Sequence, residues 1–404
     1  MIFNHTNVIC EKRMNQMNSY LIKDLVQVNR GSSPRPIIEY LSDSGYRWLK
    51  ISDFKMYDRY VYDTKEHIKE SGLKNTRHLP AGTLILTNSA TPGIPIFLGR
   101  DMCLHDGFLY FSNIKNDIID INYLYYWFLY NRSSIVNQAN GSVFQNLKKE
   151  IVENCEIEVP NIEIQKKAVN VLDNINKKIE LNNEINNDLY ELAINYLNEK
   201  VEETEVPVSK FAKIQGGYAF KSKDLIDTYT KNRIIKIKNL RSEINSDVIN
   251  SQFVENEVVE KLDNKFRLSK GDVAIAMTGA ELGKTGFIYG NDNYYLNQRV
   301  GVIRGNNKAS ELYLNILFLS DEFQTLLNSK GYGSAQPNVS TSDIENILIN
   351  DITEDNLKEL YEIIKPIYEK IISNSEEILN LEQLRDTLLP KLMNGEIDLD
   401  NIEI

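Results

Sequence analysis

Side chains that could bind a metal or move a proton near neutral pH are few in this chain. Histidine occurs only at His5, His67, His78 and His105, and no metal-ligand spacing relates them. Neither a G-x-S-x-G nucleophile turn nor an H-E-x-x-H zinc motif is present. A Gly-rich dinucleotide fingerprint after a strand is also missing. The nearest approach to a phosphate loop is GAELGKT, Gly279–Thr285. It has one residue too few between its glycines, and the strand-like run Gly286–Tyr289 follows it. A P-loop must instead feed a helix N-terminus. Asp43 with Asp53-Phe54-Lys55 loosely resembles a metal-dependent nuclease set. The corresponding stretch further on, Asn239-Leu240, carries no carboxylate. The residues themselves point to no catalytic site.

The main organising feature of the chain is a long internal repeat. LIKDLVQVNRGSSP (Leu21–Pro34) parallels PVSKFAKIQGGYAF (Pro207–Phe220). Trp48–Ile51 parallels Ile234–Ile237, and Leu79–Gly99 parallels Leu268–Gly290. The apolar run Tyr123–Asn131 matches Tyr313–Asp321, and GSVFQN (Gly141–Asn146) matches GSAQPN (Gly333–Asn338). The offset drifts from 186 to 192, as short loop insertions would make it. Runs such as TLILT and DVAIAM, bounded by Gly and Pro, read as strands, and the aromatic runs after them read as helices. Each half is therefore expected to be an α+β globule followed by a long helix.

Between Glu163 and about Lys200 no Gly or Pro interrupts the chain. Apolar residues recur there at steps of three and four from Ala168 to Tyr196, and again from Leu360 to Leu388. This is a coiled-coil seam. At ~1.5 Å per residue each helix is on the order of 55 Å long, a spacer rather than a globular helix. Pro366 is expected to kink the second helix or split off its first turns. Both seams carry an asparagine at the equivalent step, Asn182 and Asn374. Under a pseudo-two-fold axis an antiparallel pair brings equivalent residues together at its midpoint, so Asn182 and Asn374 are expected to meet and set the register.

The 404 residues carry 46 Lys+Arg and 57 Asp+Glu, a net charge of -11. Taken whole, that argues against nucleic acid. By segment the picture differs: residues 20–155 and 207–350 are each net +2, whereas 156–206 is -7 and 351–404 is -9. The globules are weakly basic, which permits DNA binding, and the helices carry the acid. Three cysteines without a C-x-x-C leave no disulfide or zinc framework to read, consistent with a reducing cytosol. The opening residues MIFNHTNVICEKR lack a charged stretch followed by an apolar core, so no signal peptide is expected there. Its longest apolar run, Ile121–Tyr130, is too short for ~30 Å of hydrocarbon. A cytoplasmic protein without a membrane partner is expected.

Two globular halves, each followed by a long helix, resemble the specificity subunit of type I restriction–modification systems. The most specific segment is LEQLRDTLLPKLMNGEIDL (Leu381–Leu399), similar to that family's closing signature. AGTLILTNS, KGDVAIAMTG, the two Gly-Ser loops and EVPNIEIQKKAVNVLDNI support it, with Pro160 and Gln165 spaced as at the start of the family's first conserved helix. The second copy, DITEDNLKEL, lacks that Pro and Gln.

The resemblance implies an α+β architecture: two tandem target-recognition domains separated by two helices in an antiparallel coiled coil. The expected segments are 1–155 and 207–350 for recognition, with 156–206 and 351–404 for the spacer helices and tail. It implies partners: double-stranded DNA, two methyltransferase subunits that use S-adenosylmethionine, and a motor–nuclease subunit where one is present. No cofactor is expected in this chain, and no N/D-P-P-Y methylation motif occurs in it.

DNA contacts are expected on polar loops between paired strands. In the first half these are Lys74, Arg77, Asn88, Ser89, Thr91 and Arg100; in the second, Lys221, Lys236, Thr278, Lys284, Thr285 and Arg299. Gln145 and Gln336 of the Gly-Ser loops join them. Two other readings stay open on the residues alone. One is a nuclease with an unrecognised carboxylate set. The other is a non-catalytic scaffold built on an acidic coiled coil.

Overall fold

A computed structural model describes residues 17–54, 59–138, 146–240, 244–330 and 338–399. The chain forms two compact units, residues 1–175 with 384–404, and residues 176–383. Gln145 and Gln336 lie outside the described residues.

In the first unit, strands Gln27–Arg30, Phe108–Ser112, Leu84–Thr87, Pro95–Leu98 and Tyr60–Val61 lie in that order in one sheet. A second sheet runs Leu41–Ser42, Glu66–Ile68, Tyr46–Leu49, Met102–Leu104, Arg77–Leu79. Within it Trp48-Leu49 pairs in parallel with Cys103-Leu104. Leu84–Thr87, Pro95–Leu98 and Met102–Leu104 are short, mostly apolar runs buried along their whole length, as strands covered on both faces should be. The aromatic run becomes helix Ile121–Gln138, whose Tyr123, Tyr126 and Phe128 are fully buried. The expectation of a helix there holds. Strand Asn18–Leu21 pairs antiparallel with Glu156–Val159 and closes the unit.

The second unit repeats this order. Ala212–Gly216, Val300–Gly305, Val273–Ala276 and Thr285–Phe287 form one sheet, and an isolated parallel bridge Asn245–Phe287 stands where the first unit has its edge strand. The other sheet runs Leu225–Ile226, Gln252–Val254, Asn232–Ile235, Asn293–Leu296, Arg267–Leu268, again with one parallel pair, Asn232–Ile235 on Asn293–Leu296. Glu205–Pro207 with Leu348–Asn350 matches the closing pair. The duplication read from the sequence is thus a duplication of topology, down to the position of the parallel pair.

The long helices are Ile162–Lys200 and Glu354–Met393, and each contributes residues to both units. The second is continuous through Pro366, so the expected split does not occur. Gln165 shows what the family-like start of the first helix does. It is fully buried; its Nε2 donates to the carbonyls of Pro160 and Ile118, both at 2.8 Å, and its Oε1 accepts from the Asp120 N–H at 2.9 Å. In the second copy the buried Leu357 occupies that step. Apolar packing replaces the hydrogen bonds, which is why DITEDNLKEL can do without the glutamine.

Within the second unit the two helices run antiparallel: Lys200 pairs with Glu359 at 2.7 Å and Lys178 with Glu377 at 3.5 Å. Asn182 and Asn374 are buried in this seam, as expected, but they do not pair directly. Asn374 Nδ2 donates to Asn186 Oδ1 at 2.9 Å, and Asn182 Nδ2 donates to Glu377 Oε2 at 2.9 Å. Asn186 Nδ2 in turn donates to Ser375 Oγ at 3.1 Å. The partner sits one turn further along the first helix, where the repeat offset places Ile378 in the other copy.

Replacing Asn374 by leucine leaves a buried Asn186 acceptor unpaired and should cost about 1–3 kcal/mol. The double change Asn186→Leu, Asn374→Leu should cost clearly less than the sum of the two singles. Urea midpoints of the four proteins measure that coupling, and strict additivity would show the pair to be energetically independent.

Candidate nucleic-acid interface

In both units the parallel strands end at the same place, and a tight turn follows the later strand. In the first unit it is His105–Gly107; in the second it is Asn297–Arg299. Four backbone hydrogen bonds recur around these turns. Gly31 N–H donates to Phe108 O at 2.9 Å, as Gly217 does to Val300 O at 3.1 Å. Ser32 N–H reaches Leu104 O at 3.2 Å, and Tyr218 N–H reaches Leu296 O at 2.9 Å. Asn88 N–H donates to Gly107 O at 2.9 Å, and Met277 N–H to Arg299 O at 3.1 Å. Leu147 and Val339 N–H groups then donate to the carbonyls of Asn88 and Met277 at 2.8 and 2.9 Å. Each turn is therefore the meeting point of three segments from distant parts of its half.

Two glycines make this meeting possible. A Cβ on Gly31 would lie 2.2 Å from His105 O, and one on Gly217 would lie 2.1 Å from Asn297 O. Both contacts are far inside van der Waals distance, so backbone would have to move. These glycines stand at equivalent positions in RGSSP and GGYAF, and their carbonyl partners begin the two turns.

The surroundings of the turns differ between the halves. In the first, Asp106 is held from several sides. Its Oδ1 accepts from Ser33 Oγ at 3.1 Å, its N–H donates to Ser33 Oγ at 3.2 Å, and its carbonyl accepts from Asn88 Nδ2 at 3.2 Å and Arg30 Nε at 3.1 Å. Arg35 Nη2 reaches its Oδ2 at 3.2 Å, and His105 Nε2 lies 3.1 Å from Oδ1. Burial alone would raise the Asp106 carboxyl, but His105, Ser33, Arg30 and Arg35 together outweigh it and hold it below the usual carboxylate range. Burial lowers His105 against the pull of Asp106.

In the second unit the turn is flanked by rings instead. Tyr218 packs edge-on against Phe220 at 5.0 Å and Phe266 at 5.5 Å, and Lys265 Nζ lies 5.1 Å from the Phe266 ring centre.

The expected contact residues divide into those that reach this surface and those that do not. Lys74 and Arg77 are exposed on a segment fixed to the turn region by Ser32 Oγ, which donates to Asn75 O at 2.9 Å. Ser89 and Thr91 follow Asn88 and are part-exposed. Lys221 and Arg299 are exposed, and Lys284 is part-exposed and ion-paired with Glu281. Lys236 sits at the end of its parallel strand, where Asn297 N–H donates to Ile235 O at 3.1 Å. Its Nζ is engaged by Gln252, and burial followed by the charge of Lys238 lowers its pKa.

Three residues face inward. Asn88 is buried and braces the Asp106 turn; Thr285 is fully buried and accepts from Gln324 Nε2 at 3.2 Å; Thr278 is buried beside a bridge to Asn338. They shape the loops rather than present a side chain to a ligand. Polar residues at the ends of buried strands read as outward in the sequence but serve here as internal partners. Arg100 is exposed but precedes strand Met102–Leu104, at the end away from the turn. Arg30, Ser33, Arg35, Asp106 and Gln298 were not anticipated. The signal for them was the matched RGSSP and GGYAF segments, which the glycines pin to the turns.

Of the residues considered for chemistry, Lys55 lies outside the described residues, and Asp53 and Gly279–Glu281 have structural roles. Asp53 Oδ2 accepts from the Lys50 N–H at 2.8 Å, the same capping bond that Asn239 Oδ1 makes to Lys236 N–H at 3.0 Å. The carboxylate needed for a nuclease set is a turn cap that an amide serves equally well. Gly279–Glu281 is one short helical turn leading into strand Thr285–Phe287, not a phosphate cradle before a helix. Among the described residues no group of His, Cys, Asp and Glu could hold a metal ion, and no helix is long and apolar enough to cross a membrane.

The family described as type I restriction modification DNA specificity domain matches residues 14–191 and 209–383. The chain is 25% identical over 414 residues to the type I restriction enzyme MjaIX specificity subunit of Methanocaldococcus jannaschii, covering 94% of this chain and 93% of that one. It is 24% identical over 409 residues to the MjaVIII specificity subunit of the same organism, with the same coverage of both chains. The fold is similar to the crystal structure of the type I restriction–modification S subunit from M. genitalium, with a TM-score of 0.55, 15% identity, and coverage of 94% and 96% of the two chains.

Proposed function

The chain belongs to the type I restriction–modification DNA specificity family, and from that premise we propose that it reads a DNA target written in two separated parts. Its role is recognition within a larger complex, not catalysis. Each half reads one part through the loops around its turn, and the two long helices set the gap. The acidic helix segments, -7 and -9 in the sequence, are the surfaces on which two methyltransferase subunits dock. Those subunits bring S-adenosylmethionine and the adenine-methylating chemistry, and a motor–nuclease subunit adds ATP-dependent cleavage where it joins. The observation that carries the reading is the recurrence of one topology and one loop meeting point in both halves, with different side chains at each. Repeated scaffolds with unlike surfaces suit the reading of two unlike half-targets.

Methylation mapping of the host genome with and without this gene tests the reading. A split motif with a fixed gap that vanishes with the gene is the expected result. A contiguous motif, or no change, would overturn it. At the level of one residue, Lys284→Ala should weaken DNA binding by the assembled complex and reduce the slope of log K against log salt by about 0.9. An unchanged slope would remove Lys284 from the phosphate contacts.

A further inference from the structure

The two turns offer different hydrogen-bonding chemistry at the same place in the fold. In the first half, Arg35 projects with its side chain 81% exposed while its Nη2 donates to Asp106 Oδ2 at 3.2 Å. Asp106 is itself fixed by Ser33 and, through its backbone, by Asn88 and Arg30. Held by a braced carboxylate, the arginine is biased toward one direction before any ligand arrives, which lowers the ordering cost of binding. Its free edge can donate two parallel hydrogen bonds, the pattern that matches guanine O6 and N7.

In the second half, the position equivalent to Asp106 is Gln298. It is exposed and makes no side-chain hydrogen bond among the described residues. Its neighbours are held: Asn297 N–H donates to Ile235 O at 3.1 Å, and Arg299 O accepts from Met277 N–H at 3.1 Å. A free amide on a fixed backbone presents a donor and an acceptor side by side, the pair that matches adenine N7 and N6. Tyr218 lies against this turn through its bridge to Asn297. Lys221 and Arg299 stand nearby to hold phosphates.

We propose that the two equivalent turns are the base-reading points of this chain, with Arg35, aimed by Asp106, reading a guanine in one half-target and Gln298 reading an adenine in the other. Asp106 is a positioning residue, and Arg35 and Gln298 determine specificity. The assignment rests on the bipartite reading proposed above.

The test is methylation mapping with the complete complex carrying Arg35→Ala, Asp106→Asn, Gln298→Ala or Gln298→Glu. Arg35→Ala and Asp106→Asn should relax the same single guanine position, with preference there falling roughly 5- to 150-fold for Arg35→Ala and less for Asp106→Asn. Gln298→Ala should relax one adenine position in the opposite half-target, and Gln298→Glu should shift that position toward cytosine. The gap and all other bases should stay as in the parent. Variants that keep every base of the parent motif overturn the assignment. So does a uniform loss of methylation with sequence preference intact in binding competition, which would make these residues phosphate contacts. If the parent protein itself yields no split motif, the bipartite reading falls and this assignment with it. A split parent motif with unchanged variants removes this assignment alone.

Discussion

Arg59→Met should destabilise the first unit by about 3–5 kcal/mol, the range for removing one partner of a buried ion pair. Arg59 lies next to the first sheet's edge strand, and Asp173 lies on the first long helix. Their side chains are in contact and only 10% and 21% exposed. Tyr126 Oη donates to the same Asp173 oxygen at 2.7 Å, and Arg59 Nη2 donates to Asn122 Oδ1 at 2.9 Å. The guanidinium also lies within 6 Å of four ring centres, from Tyr60, Phe97, Tyr125 and Tyr126, at 5.1 to 5.8 Å. Burial would lower the Arg59 pKa, but Asp173 and the tyrosines outweigh it and raise it, so the group is charged throughout the accessible range.

Methionine fills much of the volume but strands the carboxylate of Asp173. Arg59→Lys should recover part of the loss, and Asp173→Asn should cost less than Arg59→Met because the amide still accepts from Tyr126. Both tryptophans, Trp48 and Trp127, belong to the first unit, so their fluorescence in a urea titration reports on it specifically. A change below about 1 kcal/mol would place this ion pair with ordinary surface pairs.

The second large effect is expected at the paired glycines. Gly217→Ala puts a methyl group 2.1 Å from Asn297 O and 2.4 Å from its carbon, and Gly31→Ala puts one 2.2 Å from His105 O. These contacts are to backbone, so no side-chain rotation relieves them. Each change should cost about 3 kcal/mol or more, the upper end for overpacking. The loss at Gly31 is read from tryptophan fluorescence, and that at Gly217 from calorimetry. The displaced carbonyls open the two turns, so each variant should also lose selectivity in its own half of the target. Retention of full stability would mean that strand and turn can separate freely there.

Much of this organisation is visible in the sequence because repetition doubles each signal. A lone Gly in RGSSP says little; its counterpart in GGYAF marks a position that both halves need. The long helices are legible from their uninterrupted three-four spacing. The Asn374 partner was not, since Asn186 corresponds to Ile378 and the repeat is broken at that step. Arg59 was illegible for another reason. Its partner is 114 residues away, and no local pattern encodes a contact at that range. Asn88 and Thr285 show the opposite error. Their polarity suggested an outward role, but strand ends bury polar groups whenever backbone or amide partners are available. Pro366 is expected to kink its helix or split off its first turns; no split occurs and the helix continues through it, as tertiary packing routinely overrides local propensity.

The composition of the first unit bears on the order in which the chain folds during synthesis. Residues 176–383 form the second unit from one continuous stretch, whereas the first unit also includes 384–404. Leu392, Met393 and Leu399 are buried in its core, and Lys167 Nζ donates to Leu399 O at 2.9 Å. The ribosome delivers these residues only after the whole of the second unit. Domains generally fold as units, the N-terminal one first as the chain emerges. Here the half translated first must wait for residues that follow the second unit, while that unit is one continuous stretch. The nascent first unit therefore holds an open apolar face through the translation of some 200 codons, and it is the part of the chain most in need of a chaperone.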